Sequence, residues 1–304
     1  MQIFDFDIFV NNASGQALSV GDPQPLLHQV ELQAEDLRQH WLRTVEFGPG
    51  PILSRTFSYA IDVKQAWFGD GGRVQQHPPN GQPNQQWTVR HLTSDPNSDP
   101  RIIECTDPNP RADQAKYAIE APDGEGNVDP VIRRTNESPN QQWTFAPGEH
   151  TVAGFKIQSF LSEKVLDVPD GAQGPGVTIQ QFQDGGARCF NQFWELLNRD
   201  KSPIENIGDI SSGANVRIRS VCNGLFLQPK TVGENMAALI QASDSDADDQ
   251  VWQLVGTNAG WKIQPVLSLD LALDLPLGDG DTNNNVPIQV FHDNGGNNQL
   301  WIFL

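Results

Sequence analysis

Three series in this chain combine a carboxylate, a ring and side-chain amides at matched intervals. The first runs Ile61-Asp62-Val63, Val74-Gln75-Gln76-His77 and Asn84-Gln85. The second is Leu166-Asp167-Val168, Ile179-Gln180-Gln181-Phe182 and Asn191-Gln192. The third is Leu273-Asp274-Leu275, Ile288-Gln289-Val290-Phe291 and Asn298-Gln299. From Gln to Asn the step is 9 residues in the first and third series and 11 in the second. An ionised carboxylate only accepts hydrogen bonds, an amide donates and accepts, and a ring offers a flat apolar face. That combination suits a pyranose, whose vicinal hydroxyls can meet the acid and amide while its C–H face covers the ring. Charge-assisted hydrogen bonds worth about 1.5–3 kcal/mol reward one hydroxyl configuration and leave the acid unpaired against another. A single Asp after a strand is more often a turn former, so the argument rests on complete sets.

Each series ends in the phrase Gln-x-Trp, and that phrase occurs six times. The copies end at Trp41 (Arg38-Gln39-His40-Trp41, a worn version), Trp87, Trp143, Trp194, Trp252 and Trp301. Successive tryptophans lie 46, 56, 51, 58 and 49 residues apart, which marks one supersecondary unit built six times. Repeat one runs from about Ile3 to Phe47, repeat two to Leu92 and repeat three to Phe145. Repeats four, five and six end near Leu197, Val255 and Leu304. The turn-rich Ala146-Pro147-Gly148-Glu149-His150 divides the chain into domains 1–147 and 148–304. Alternation within strands sends Ile288 and Val290 to one face and Gln289 and Phe291 to the other. The repeated Trp is expected in the core, with its neighbouring Gln tying the adjoining turn. Helical periodicity is confined to a weak pattern over 26–42.

This pattern resembles the ricin B-type (Gln-x-Trp) lectin family, whose fold is the β-trefoil of three four-stranded repeats. The resemblance implies an all-β chain of two tandem trefoils. In layout it is similar to the haemagglutinin subunit of clostridial neurotoxin complexes. In the family the matching positions contact galactose, which implies sugar-binding roles for Asp62, Gln75, His77 and Asn84. The same carries over to Asp167, Gln180, Phe182 and Asn191, and to Asp274, Gln289, Phe291 and Asn298. Gln85, Gln192 and Gln299 are expected behind those groups, steadying them. His77 is the weakest of the rings. Repeat one has Ser19 for the Asp and Arg38 for the Asn, and repeat three has Glu120 for the Asp and Arg134 for the ring. Repeat five has Gln228, Ser243 and Asp249 in place of Asp, ring and Asn. Acid and ring are thus kept together or lost together, which mere scaffolding does not require.

Bulk properties narrow the alternatives. The 304 residues suffice for two domains, and 27 glycines with 22 prolines favour an all-β chain rich in turns. A formal charge of -18 without a basic stripe argues against nucleic acid and anionic lipid as partners. Cys105, Cys189 and Cys222 form no metal-ligand pair and read as reduced thiols. The start has no signal-like segment, so a cytoplasmic protein or non-classical release is expected. Asp244, Asp246 and Asp248, and likewise Asp279, Asp281, Asn283 and Asn285, have alternate spacing but lack the rest of a calcium loop. No cofactor or metal is expected. No nucleophile elbow or phosphate loop occurs, and each set holds one acid, so no enzyme is expected. The reading is a multivalent lectin for galactose or N-acetylgalactosamine glycans. Its main rival is a binding subunit of a larger assembly that attaches a partner protein through the degenerate repeats, with Arg133 and Arg134 of repeat three as the surface. A trefoil protease inhibitor would need a projecting loop that the sequence does not display.

Overall fold

The fold is known from a computed structural model, which describes all residues except 22–24, 46–47, 95–98, 110–113, 123–128, 149–150 and 277–281. The ends of repeat one at Phe47, of the inter-domain turn at Glu149 and His150, and the acids Asp279 and Asp281 lie outside the described residues. The described residues are all-β, with short 3₁₀ turns between strands. They divide into two compact units, Asp5–Thr151 and Met1–Phe4 with Val152–Leu304.

In the first unit six segments close a ring of antiparallel neighbours. Asp7–Asn11 pairs with His40–Arg43, which pairs with Ile52–Ser54. A bridge between Gly50 and Trp87 carries the ring to Thr88–His91, which pairs with Arg101–Thr106. Gln142–Pro147 joins Arg101–Thr106 and returns to Asp7–Asn11. Three hairpins complete the trefoil: Ala17–Val20 with Leu27–Val30, Ala60–Val63 with Gly72–His77, and Lys116–Glu120 with Val131–Arg134. The second unit repeats the plan, with hairpins Val165–Asp167 with Gln180–Phe182, Phe226–Pro229 with Leu239–Ala242, and Leu271–Asp274 with Gln289–His292.

Two expectations are corrected here. The strand at the chain start does not open repeat one, because Gln2–Phe4 pairs with Val152–Gly154 of the second unit. Phe4 seals that pairing, edge-on to Phe190 at 5.2 Å and to Phe193 at 5.0 Å. The weakly helical stretch over 26–42 forms the strand Leu27–Val30, the 3₁₀ turn Leu37–Gln39 and the strand His40–Arg43. Alternate burial along Leu27–Val30, not a helical stripe, explains its apolar residues.

The six motif tryptophans are buried, none more than 1% exposed. Each indole Nε1–H donates to one backbone carbonyl: those of Leu18, Ile61, Ile119, Leu166, Leu227 and Leu273, at 2.8–3.2 Å. Every such carbonyl belongs to the residue just before the acid position of its repeat. Trp252→Phe removes one hydrogen bond and keeps most apolar area, whereas Trp252→Ala also leaves a cavity. Guanidinium unfolding should show losses of about 1–2 kcal/mol for Phe and about 3–5 kcal/mol for Ala. Equal losses would mean that the indole bond, not packing, holds the repeat.

Candidate functional site

The hairpin register decides which side chains share a face. Asp62 lies opposite Gln75, and Ala60, two residues earlier, lies opposite His77. Asp167 likewise faces Gln180 with Val165 facing Phe182, and Asp274 faces Gln289 with Ala272 facing Phe291. Side chains two apart on a strand point the same way, so acid, amide and ring sit together on the outer face. The residues between them face inward: Ile288 and Val290 are fully buried, while Gln289 and Phe291 are half-buried. His77 is exposed, with Nδ1 3.0 Å from the carbonyl oxygen of Pro78.

The amides converge on each acid. Asp62 accepts from Gln75 at 3.0 Å on one oxygen, and from Asn84 at 2.7 Å and Gln85 at 3.0 Å on the other. Asp167 accepts from Gln180 at 2.9 Å, Asn191 at 2.9 Å and Gln192 at 3.0 Å. Asp274 accepts from Gln289 at 2.8 Å, Asn298 at 2.8 Å and Gln299 at 3.1 Å. The Asn amide spends its N–H groups inside the protein, the second contact reaching the carbonyl oxygens of Val63, Val168 and Leu275. Spacing alone suggested Asn as a donor to a ligand. Gln75, Gln180 and Gln289 each donate once to the acid.

The Gln beside each Trp ties acid to loop. Besides their bond to the acid, Gln85, Gln192 and Gln299 donate to the carbonyls of Pro78, Gln183 and His292. Their side-chain oxygens accept from the backbone N–H groups of Asn80, Gly185 and Asn294.

The degenerate repeats keep this wiring without the same acid. In repeat five Gln250 donates to the Gln228 side chain at 3.2 Å and to the Ser243 carbonyl at 2.7 Å. In repeat one Gln39 donates to the Glu31 carbonyl at 3.0 Å. There Ser19 faces His28, whose Nδ1 lies 2.8 Å from Asp129, beside a cavity of about 440 Å³. Repeat three retains an acid, but Arg133 binds Glu120 at 2.7 Å. The register also corrects two positions. Arg133, not Arg134, stands where the ring belongs, because it faces Ala118, two residues before Glu120. In repeat five Ala242, not Ser243, holds that place, opposite Phe226.

Repeat four opens into a depression of about 230 Å³ lined by Asp167, Gln180, Phe182 and Asn191. Pro169, Asp170 and Asn285 also line it, and the motif spacing revealed none of these three. Burial raises the Asp167 carboxyl to about 6, with the Asp170 charge adding to the rise and the three amides opposing it. Asp62 and Asp274 are raised for the same chief reason, with His77 easing Asp62. The remaining acidic spacing is accounted for by ion pairs: Lys201 meets Asp244 and Asp246, and Arg199 meets Asp248. Among the described residues no cluster of three or more His, Cys, Asp or Glu is placed to hold a metal. The three cysteines are thiols outside any disulfide, Cys105 and Cys222 being buried.

Residues 139–241, from the end of repeat three through most of repeat five, match the family described as ricin-type beta-trefoil lectin domain-like. That match spans about a third of the chain. No curated protein matches. Among solved structures, the Rhizoctonia solani agglutinin is similar at 21% identity and TM-score 0.41, covering 52% of this chain and 99% of its own. The earthworm R-type lectin C-half in complex with GalNAc is similar at 22% identity and TM-score 0.37, covering 50% and 97%. 1,3Gal43A, an exo-beta-1,3-galactanase from Clostridium thermocellum, is similar at 18% and TM-score 0.42, covering 99% and 68%.

Because its native carboxyl is raised, Asp167 holds its proton more tightly folded than unfolded. Its charge therefore detracts from stability progressively as pH rises from about 4 to 6, and fully above that. Asp167→Asn can keep the amide contacts if Gln180 turns its oxygen toward the new NH₂ group. Unfolding free energies should rank this variant about 1–3 kcal/mol above the wild type at pH 7 and level with it at pH 4. A variant less stable at both would show that the carboxylate serves the fold.

Proposed function

We propose that the chain is a non-enzymatic, multivalent lectin for terminal galactose or N-acetylgalactosamine, with sites in repeats two, four and six. The observation that carries this reading is that the scaffold can do without the acid. Repeat five gives the same motif Gln a neutral side chain, Gln228, in place of the acid, and repeat one carries Ser19 there while Gln39 keeps its loop tie to the Glu31 carbonyl. A buried carboxylate among neutral amides is unfavourable unless something further uses it. Each acid accepts three N–H bonds of about four that a carboxylate can take, so a hydroxyl can fill the remainder. The Gln opposite supplies a donor, and the half-buried ring on the same face covers the sugar's C–H groups.

Hydrolysis lacks its usual geometry. Glycosidases hold two carboxyl groups about 5–10 Å apart, flanking the bond to be cut. Here each set has one, and the further acid of repeat four, Asp170, lies in the turn Pro169–Gly171 that follows the strand ending at Asp167. Open depressions of this size give weak single sites, with Kd of roughly 0.1–1 mM, or about 4–5.5 kcal/mol. Three sites on one chain give avidity toward clustered glycans.

Asp62→Asn, Asp167→Asn and Asp274→Asn combined should abolish lactose-sensitive agglutination of galactose-bearing cells. Apparent affinity for a galactosylated surface should fall at least about 100-fold, with the melting temperature kept or raised. Agglutination that survives all three changes would overturn the site assignment.

A further inference from the structure

The hairpins of repeats three to six are each edged by one residue from the loop of another repeat in the same unit, and the register makes these residues comparable. In repeat four the N–H of Asn285 donates to the Gln181 carbonyl, one residue after Gln180. In repeat six Met236 donates in the same way to Val290, one residue after Gln289. In repeat three the corresponding residue is Gly71, donating to Ile132, and in repeat five it is Gly176, donating to Gln241. All four have left-handed backbone, with φ of 63° at Asn285, 68° at Met236, 91° at Gly71 and 84° at Gly176. The counterparts for repeats one and two lie outside the described residues.

Glycine is the unstrained choice at such φ values, and the two repeats without the sugar set use it. The two with a complete set and a described rim carry a side chain there instead. Neither side chain serves the core: Met236 is 64% exposed and Asn285 is exposed. Asn285 lines the repeat-four depression with Asp167 and Phe182. Met236 lines a neighbouring depression of about 420 Å³ that meets the repeat-six set at Gln289, and its N–H holds Val290, between Gln289 and Phe291. Packing gives no reason to keep a strained, exposed methionine.

From this we infer that Asn285 and Met236 are rim residues that contact the bound sugar, Asn285 adding affinity at repeat four and Met236 adding selectivity at repeat six. The inference rests on the lectin reading above. The Asn285 amide bonds a hydroxyl of a sugar held by Asp167, whichever galactose-type ring is bound. The Met236 thioether lies against the methyl of an acetamido group, so repeat six favours N-acetylgalactosamine over galactose. Repeat four carries the polar Asn285 at the matching place and discriminates less.

Single-site proteins test this. D62N with D167N leaves repeat six, and D62N with D274N leaves repeat four. Affinities for methyl galactoside and methyl N-acetylgalactosaminide are measured by titration NMR on each, with and without a rim change. Met236→Gly should lower the N-acetyl preference of repeat six about fourfold, the worth of one buried methyl-sized group, and Met236→Leu should retain it. Asn285→Gly should weaken both sugars at repeat four about fivefold, the worth of one hydrogen bond. Glycine occupies this place in repeats three and five, so both glycine variants should fold, with melting temperatures at or above those of their parents. Rim variants that match their parents for both sugars overturn the inference and leave the Asp sites standing. Parents that bind neither sugar overturn both.

Discussion

The site depends on one coupled pair of ties repeated along the chain. A buried indole fixes the backbone just before the acid position, and the glutamine two residues earlier in the motif fixes the loop beyond it. Wherever the acid is present, the glutamine also grips it. Core packing and site geometry are therefore set by the same short phrase. This explains how a hairpin whose inward residues join the core can hold, on its other face, a carboxylate within hydrogen-bond reach of three amides. Preorganisation of that kind lowers the entropy a weak ligand must overcome.

The same wiring separates what the fold needs from what it carries. Gln228 shows that the motif glutamine takes a neutral acceptor where other repeats have the acid. Repeat three shows what happens when a charge remains without a use: Arg133 neutralises Glu120. Asp62, Asp167 and Asp274 have neutral hydrogen-bond partners, and burial raises their carboxyls against the opposing amides. Under the proposed lectin reading, these three acids without a close cationic partner are the ones that meet a ligand.

Much of this was legible in the sequence because it is periodic. The phrase ending at each Trp, the strand alternation of Ile288 to Phe291, and the Asp-Gln-ring-Asn sets all depend on local spacing. Features that depend on register or on distant chain were not legible. A one-residue slip exchanges the faces of a strand, and hairpin loops differ in length. Counting from the acid therefore named Arg134 and Ser243 where pairing places Arg133 and Ala242. Asp170 and Asn285 join the repeat-four depression through a tight turn and through another repeat's loop. Gln2–Phe4 finds its partner about 150 residues away. The Asn amides looked like ligand donors because spacing cannot reveal that the Val63, Val168 and Leu275 carbonyls already use them.

The most direct measurement of the central claim is a count of bound sugar read at the carboxylates themselves. With ¹³C-labelled aspartate, methyl galactoside is titrated into the intact chain and the carboxyl resonances are followed. The account predicts saturation at three sugars per chain, with the resonances of Asp62, Asp167 and Asp274 moving and those of Asp244, Asp246 and Asp248 staying still. Sugar that binds without moving those three resonances, or that moves acids elsewhere instead, would contradict it.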